Sequence, residues 1–252
     1  MKLTDRTVLI TGGTSGIGLE LASRLAARGN VVIVTGRDPV RLEAAQASSP
    51  PLHAIRSDVA DPADIQALHA EVLARFPQLD VLVNNAGIMR NLNFNHETGL
   101  QDVCREVEIG LSGPVRLIQQ FLPQLRSRGD AAIINVTSGL AFTPFPSAPV
   151  YSAAKAGLHA FTRALRVQLR SSGVRVIEVA PPGVETPLFR REFEAEAKGM
   201  HGMEVKVLVR RVIAGIEAGK LEICPGPAAA LRLMSRIAPD LLLHQMAAVF
   251  RP

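Results

Sequence analysis

Tyr151 and Lys155 have the types and spacing best suited to chemistry in this chain, four positions apart in Tyr-Ser-Ala-Ala-Lys. On a helix such a pair shares one face. An ammonium held beside a phenol favours the phenolate and lowers a pKa that is about 10 in the free residue. The pair can therefore act as a general acid/base nearer neutral pH. Tyr151 is the single tyrosine of 252 residues that include no tryptophan, so the chain has little use for tyrosine in packing. A Tyr and a Lys one turn apart on a surface helix is otherwise an ordinary occurrence. The pair gains meaning only where further residues converge on it.

A second constellation is Thr11-Gly12-Gly13-Thr14-Ser15-Gly16-Ile17-Gly18, between an apolar run and an amphipathic segment. Glycines there allow a tight turn, and the N-terminus of the following helix attracts a pyrophosphate. A P-loop would need Gly-Lys-Ser/Thr at its end, where Gly16-Ile17-Gly18 stands instead. NAD binders usually present a carboxylate at the end of the second strand, bonded to the ribose hydroxyl. In Thr35-Gly36-Arg37 that place falls to Gly36, and the Arg37 guanidinium that follows suits a 2′-phosphate. Asp38, before Pro39, reads as a helix N-cap and first helical position. These residues favour NADP over NAD, although any single arginine can also simply face water.

The elements that must position these groups alternate along the chain. Strands are expected at Val8–Ile10, Val31–Thr35, His53–Ser57, Val81–Val83, Ala132–Val136, Val174–Val179 and Leu221–Cys224. Helices fill the gaps, most clearly Ile17–Arg28, Pro62–Phe76, Asp102–Leu125 and Tyr151–Arg170. Continuous β-branched runs such as Val31–Thr35 suit strands covered on both faces. The alternation predicts an α/β fold with a doubly wound parallel sheet of about seven strands and helices on both faces. The 47% hydrophobic content agrees with a two-sided core. No linker or repeat interrupts residues 1–252, which read as a single domain. Pro181–His201, rich in charges and following a strand end, is a candidate substrate lid. The stretch 228–250, broken by Pro239, reads as helix packed on the body or on another subunit, or as a membrane-surface helix.

Several function classes fall away. The net charge of +5 comes from arginines scattered among acids, with no polybasic run, which argues against nucleic acid. Cys104 and Cys224 have no metal-ligand spacing and read as buried thiols of a reducing compartment. The histidines show no ligand spacing, so no metal is implied, and His159 reads as packing. No stretch reaches the roughly 18 apolar residues of a membrane helix, and the start of the chain lacks the features of a signal peptide. The expectation is a soluble, cytoplasmic protein without an integral membrane segment.

Gly12-x-x-x-Gly16-x-Gly18, Asn84-Asn85-Ala86-Gly87, Ser138 and Tyr151-x-x-x-Lys155 occur in one order, with Ser138 thirteen positions before the tyrosine. Together with Pro182-Gly183 and Thr186 they resemble the motif set of the short-chain dehydrogenase/reductase family, from Arg6 to about Cys224. The resemblance implies a Rossmann-type fold and hydride transfer between a nicotinamide cofactor and a small carbonyl or alcohol. It implies that Tyr151 moves the proton, that Lys155 lowers its pKa and bonds the nicotinamide ribose, and that Ser138 holds the substrate oxygen. Ser138 can also be read as a plain strand-end hydroxyl. The resemblance puts Gly12, Thr14, Ser15, Gly16, Ile17 and Gly18 around the cofactor's phosphates, and Asp58 and Val59 beside the adenine. Asn85, Ala86 and Gly87 should lie along the cofactor, with Pro181, Gly183, Val184 and Thr186 towards the nicotinamide. Asn84 is expected to tie the central strands together. A homodimer or homotetramer using the long helices is also implied.

One departure stands out. Gly110 occupies the place where the family commonly keeps an asparagine that holds a water beyond the lysine. A water or Ser112 restores the relay, or catalysis is slowed. A dinucleotide-binding sensor or scaffold with weak or no catalysis is the alternative this suggests. Phe142, Pro144, Phe145, Leu188, Phe189 and Phe193 suggest an apolar substrate pocket or ordinary packing. Arg190 and Arg191 either meet an acidic substrate or face water.

Overall fold

The computed structural model describes residues 1–48, 52–97, 99–190, 193 and 201–248. Seven strands form one sheet: β1 (Thr7–Thr11), β2 (Val31–Gly36), β3 (Leu52–Arg56), β4 (Leu79–Asn84), β5 (Ala131–Val136), β6 (Val174–Val179) and β7 (Glu222–Ile223). Their order is β3-β2-β1-β4-β5-β6-β7, with every pair parallel. The direction of winding reverses between β1 and β4, and a crevice opens there at the carboxyl ends of the strands. The doubly wound, Rossmann-type sheet expected from the alternation is the one observed.

Period-two side chains divide the core into two layers. Val8 and Ile10 of β1 join Val32 and Val34 of β2 under α1 (Gly16–Ala26) and α8 (Val205–Glu217). Leu9 and Ile33 turn the other way. They pack with Leu68 of α3 (Pro62–Arg75), Phe121 of α5 (Gly113–Ser127) and Leu165 of α6 (Pro149–Gln168). Local signals start the helices: Asp38 Oδ1 accepts Val40 N at 3.0 Å ahead of α2 (Pro39–Ser48), and Asp61 Oδ1 accepts Ala63 N at 2.8 Å ahead of α3. Asn84 Nδ2 donates to Asn135 Oδ1 at 2.8 Å, so Asn84 does join the two central strands.

Two expectations need correction, the long helix and the cysteines, while the break at Pro239 is as expected. The helix expected over Asp102–Leu125 is broken: α4 is only Arg105–Val107, a π-helical turn covers Glu108–Ser112, and α5 follows. Close packing accompanies the break. A Cβ on Gly113 would lie 2.6 Å from Val59 O, and Leu111 Cδ2 approaches within 2.8 Å of where a Cβ on Gly157 would stand. Cys104 is exposed and Cys224 half-buried, so they are not a pair of buried thiols; Cys104 precedes the first turn of α4, outside the core. The C-terminal stretch is two helices, α9 (Pro227–Ile237) and α10 (Pro239–Ala247), divided at Pro239 because proline opens a helix and cannot continue one. The end of the expected 228–250 segment, Val249 and Phe250, lies outside the described residues. Among the described residues no helix is long and apolar enough to cross a membrane.

Candidate active site

The residues singled out by type and spacing lie around the crevice at the carboxyl ends of β1, β4, β5 and β6. Gly12 has φ +64°, which glycine adopts without strain, and a Cβ there would lie 2.8 Å from Ala86 Cα. Gly18 approaches equally closely: its Cβ would meet Asn85 Nδ2 and Gly12 O at 2.5 Å. The glycine turn is thus packed onto the end of β4. Gly16, also at positive φ, lies against Thr186, where a Cβ would stand 3.2 Å from Thr186 Cγ2. Ser15 is the N-cap of α1 but makes no side-chain capping bond. The first-turn N–H groups of α1 have no side-chain cap and could donate to an anion. Thr14 Cγ2 lies 2.9 Å from where a Cβ on Gly36 would be, so a bare residue is needed at the end of β2.

Thr11, which the sequence did not single out, organises this turn. Its hydroxyl accepts Asn85 N at 3.0 Å and Ala86 N at 3.1 Å. Asn85 Nδ2 donates to Thr11 O at 2.9 Å and Gly12 O at 3.1 Å. The Asn85 side chain therefore holds the glycine turn rather than extending along the crevice. A polar β-branched residue at a strand end beside a glycine run was the available signal.

At the other end of the crevice, Arg37 is half-exposed and its Nη1 lies 3.4 Å from Asp58 Oδ2. Arg105 Nη2 approaches the same oxygen at 3.1 Å. Asp58 Oδ1 accepts Ala60 N at 2.9 Å, and Val59 is buried against the start of α5. Asp38 is occupied in capping α2, as expected.

Tyr151 and Lys155 are both buried on one face of α6, at 8% and 4% exposure. The Ser138 hydroxyl lies near enough to the phenol to oppose the effect of burial on it. Ser138 Oγ also accepts Leu140 N at 3.1 Å, capping the short 3-10 turn Gly139–Ala141. With that lone pair occupied, its O–H is free to donate to the phenol oxygen. Lys155 Nζ donates to Val136 O at 2.8 Å and lies 5.7 Å from the Tyr151 ring centroid. A Cβ on Gly87 would stand 3.8 Å from the ammonium, which places Gly87 beside Lys155.

The electrostatics reverse one expectation. Burial pushes the Tyr151 phenol up to about 12, opposed by the nearby Ser138 hydroxyl. Burial alone pushes Lys155 down to about 8. Burial outweighs the lysine, whose ammonium donates to a backbone carbonyl, and both groups sit where charge is poorly solvated.

Tyr151 forms an apolar cluster with Ala148 and Phe193, and Met89, Leu140 and Phe145 pack on it. Phe145 and Phe193 meet at 5.7 Å between ring centroids. Phe142 instead turns its ring edge-on to His159, 5.1 Å away, and does not border this cluster. Phe189 lies over Gly183 and under the Arg190 guanidinium. Arg190 pairs with Glu185 at 2.7 Å and keeps part of its side chain in solvent. Thr186 Oγ1 accepts Phe189 N at 3.3 Å, opening the short helix α7 (Pro187–Arg190). Pro181 O accepts Gly139 N at 2.7 Å, and Val184 is buried beside Met203 in a parallel bridge. Of the expected lid, residues 191, 192 and 194–200, Arg191 among them, lie outside the described residues. An apolar cavity of about 280 Å³, lined by Leu140, Phe145, Pro149, Ala153, Ala156 and Leu243, shares Leu140 and Phe145 with the Tyr151 cluster.

His159 is more than packing. Its Nδ1 lies 2.9 Å from both carboxylate oxygens of Glu178, which is 1% exposed. An acid inside the apolar run Val176-Ile177-Glu178-Val179 was the signal in the sequence.

Comparison with known proteins bears on the whole chain. A family profile described as short chain dehydrogenase matches residues 6–197. The chain is 43% identical over 247 residues to the uncharacterized oxidoreductase DltE of Bacillus subtilis (strain 168), covering 98% of each. It is similar to a short-chain dehydrogenase from Sphingobium yanoikuyae solved in complex with NADPH, with 29% identity, a TM-score of 0.80, and 98% and 96% of the two chains covered. It is similar also to a 3-ketoacyl-(acyl-carrier-protein) reductase from Brucella melitensis complexed with NADH, with 27% identity, a TM-score of 0.76, and 85% and 91% covered.

Proposed function

The chain belongs to the short-chain dehydrogenase/reductase family, and from that premise we propose that it is an NADP(H)-dependent oxidoreductase acting on a small, largely apolar carbonyl/alcohol pair. The observation that carries this reading is the buried Tyr151, with the Ser138 hydroxyl near it and the buried Lys155 one helical turn away. A nicotinamide cofactor supplies or accepts the hydride. The residues present fit such a group. Gly12, Gly16 and Gly18 leave a surface that side chains would fill, and Thr14, Ser15 and Ile17 open α1 with unpaired donors for the phosphates. Asp58 and Val59 border the adenosine end; Ala86, Gly87, Pro181, Gly183, Val184 and Thr186 line the nicotinamide end. Asn85 acts there through the glycine turn.

In the reductive direction Tyr151 gives its proton to the substrate oxygen. A phenol held at about 12 keeps that proton throughout the neutral range, which suits a general acid. Ser138 donates a hydrogen bond to the same oxygen, while its Oγ accepts from Leu140 N. Lys155, fixed by Val136 O, offsets the negative charge left on Tyr151. Phe145 and Phe193 beside the phenol favour an apolar substrate and exclude water.

Two observations support NADP. Asp38 commits its Oδ1 to capping α2, which leaves it a weaker partner for the ribose hydroxyl. Arg37 extends beyond the side-chain-free Gly36, where a 2′-phosphate would compete with Asp58 for its guanidinium. A second reading, a dinucleotide-binding protein with weak or no catalysis, is favoured by Gly110, which offers no side chain beyond Lys155.

The test is a screen of carbonyls with NADPH and NADH and of alcohols with the oxidised cofactors. The parent should turn over with a preference for NADPH. Tyr151→Phe should lose about 10²–10⁴-fold in turnover while still binding cofactor. Arg37→Ser should weaken NADPH binding without weakening NADH binding. Undiminished turnover in Tyr151→Phe overturns the reading.

A further inference from the structure

Among the described residues, three acids are buried at 5% exposure or less: Asp80, Glu106 and Glu178. Asp80 faces Arg6 and Arg128, and Glu106 faces Arg90. Glu178 has no arginine of this kind. Its Oε1 accepts Thr137 Oγ1 at 2.8 Å, and both oxygens lie 2.9 Å from His159 Nδ1. An ionised carboxylate only accepts, so Nδ1 carries the hydrogen and donates. A buried carboxylate needs such partners, because leaving it unpaired is costly.

The partners themselves are informative. Thr137 is the residue immediately before Ser138. Phe142, just after the 3-10 turn that Ser138 caps, packs its ring on His159. His159 follows Tyr151 and Lys155 at four-residue steps and so shares their face of α6. The carboxylate on β6 is therefore bonded on one side to the backbone segment that bears Ser138 and on the other to the helix that bears Tyr151. Gly139 N, bonded to Pro181 O at 2.7 Å, adds a contact from beyond β6 to the same turn.

We propose that Glu178 and His159 are positioning residues that fix the Ser138 turn against Tyr151, an inference that rests on the catalytic reading of Ser138 and Tyr151 given above. Neither touches the reacting atoms. They set the separation between the hydroxyl that holds the substrate oxygen and the phenol that protonates it. Misplacement of a catalytic group by about 1 Å can cost about 10²-fold in rate.

The test compares Glu178→Leu, Glu178→Gln and His159→Leu with the parent and Tyr151→Phe, reading kcat and both KM values on a substrate from the screen. Glu178→Leu and His159→Leu should lower kcat by about ten- to a hundredfold and leave the cofactor KM unchanged. Glu178→Gln, which still accepts from Thr137, should recover most of that loss. A merely structural role would lower the active fraction of all three without this order or this split. If Glu178→Leu does not fold, His159→Leu carries the test, since its side chain is 17% exposed. Parent-level kcat in folded Glu178→Leu and His159→Leu, with Tyr151→Phe inactive, overturns the positioning inference alone. Parent-level turnover in Tyr151→Phe, or no turnover in any protein including the parent, overturns the catalytic reading and this inference with it.

Discussion

Lys155 shows how far residue type carries a mechanism and where burial takes over. The four-residue spacing from Tyr151 was visible in the sequence, but the direction of the phenol's shift was not. It depends on the Val136 carbonyl that holds the ammonium and on the apolar residues around the ring. With the lysine at about 8, it is charged below that pH and neutral above it. The rate of carbonyl reduction should therefore fall as pH rises through about 8, while Tyr151 stays protonated; a pH profile that stays level to pH 10.5 would refute this. The same burial acts on stability. The lysine's ordinary value is 10.5, so between about 8 and 10.5 the unfolded chain holds a proton that the folded one has lost, and stability rises with pH. Below that window the folded chain carries a penalty of about 3 kcal/mol. Lys155→Met removes it and leaves Val136 O unpaired at a cost of about 1–3 kcal/mol. The variant should be inactive yet at least as stable as the parent at pH 7. Urea unfolding at pH 7 and pH 10.5 should show that relative advantage disappearing as pH rises; a constant difference would refute the assignment.

At the scale of elements, most strands and helices were legible because their apolar runs are continuous and their caps local. Val174–Val179 was located to the residue, and Asp38 was identified as a cap. The long helix was not, since a π turn adds one residue without changing the apolar periodicity enough to mark it. Gly110 lies within that turn. A Cβ there would meet only Ala154 Cβ, at 3.5 Å, an ordinary contact. Gly110→Asn should accordingly fold and unfold within about 1 kcal/mol of the parent, with cofactor affinity unchanged. We expect measurable turnover in the parent as well as in this variant. Turnover confined to Gly110→Asn, measured in the same screen, would instead favour the weakly catalytic reading.

At the scale of the whole molecule, one parallel sheet brings residues as distant in sequence as Gly16 and Thr186 into contact at a single crevice. Its outer surface carries a further expectation. Ala153, Ala160, Ala164 and Val167 are exposed along one side of α6, a stripe of small residues that lets two helices approach closely. If a homodimer or homotetramer uses this helix, light scattering should give a multiple of 27.0 kDa, and Ala160→Glu with Ala164→Arg should yield monomer. A monomeric parent would remove the expectation. The sequence by itself determined the parallel sheet, the glycine turn, the spacing of Ser138, Tyr151 and Lys155, and the cap that Asp38 supplies to α2. Each of these is encoded in a local pattern or in residue type at fixed spacing. Only the tertiary structure decided that the phenol is raised rather than lowered, that Asn85 holds the turn, and that Glu178 links His159 to the residue before Ser138. Those outcomes depend on burial and on partners from other strands and helices, and neither desolvation nor long-range pairing is written in the spacing of a single segment.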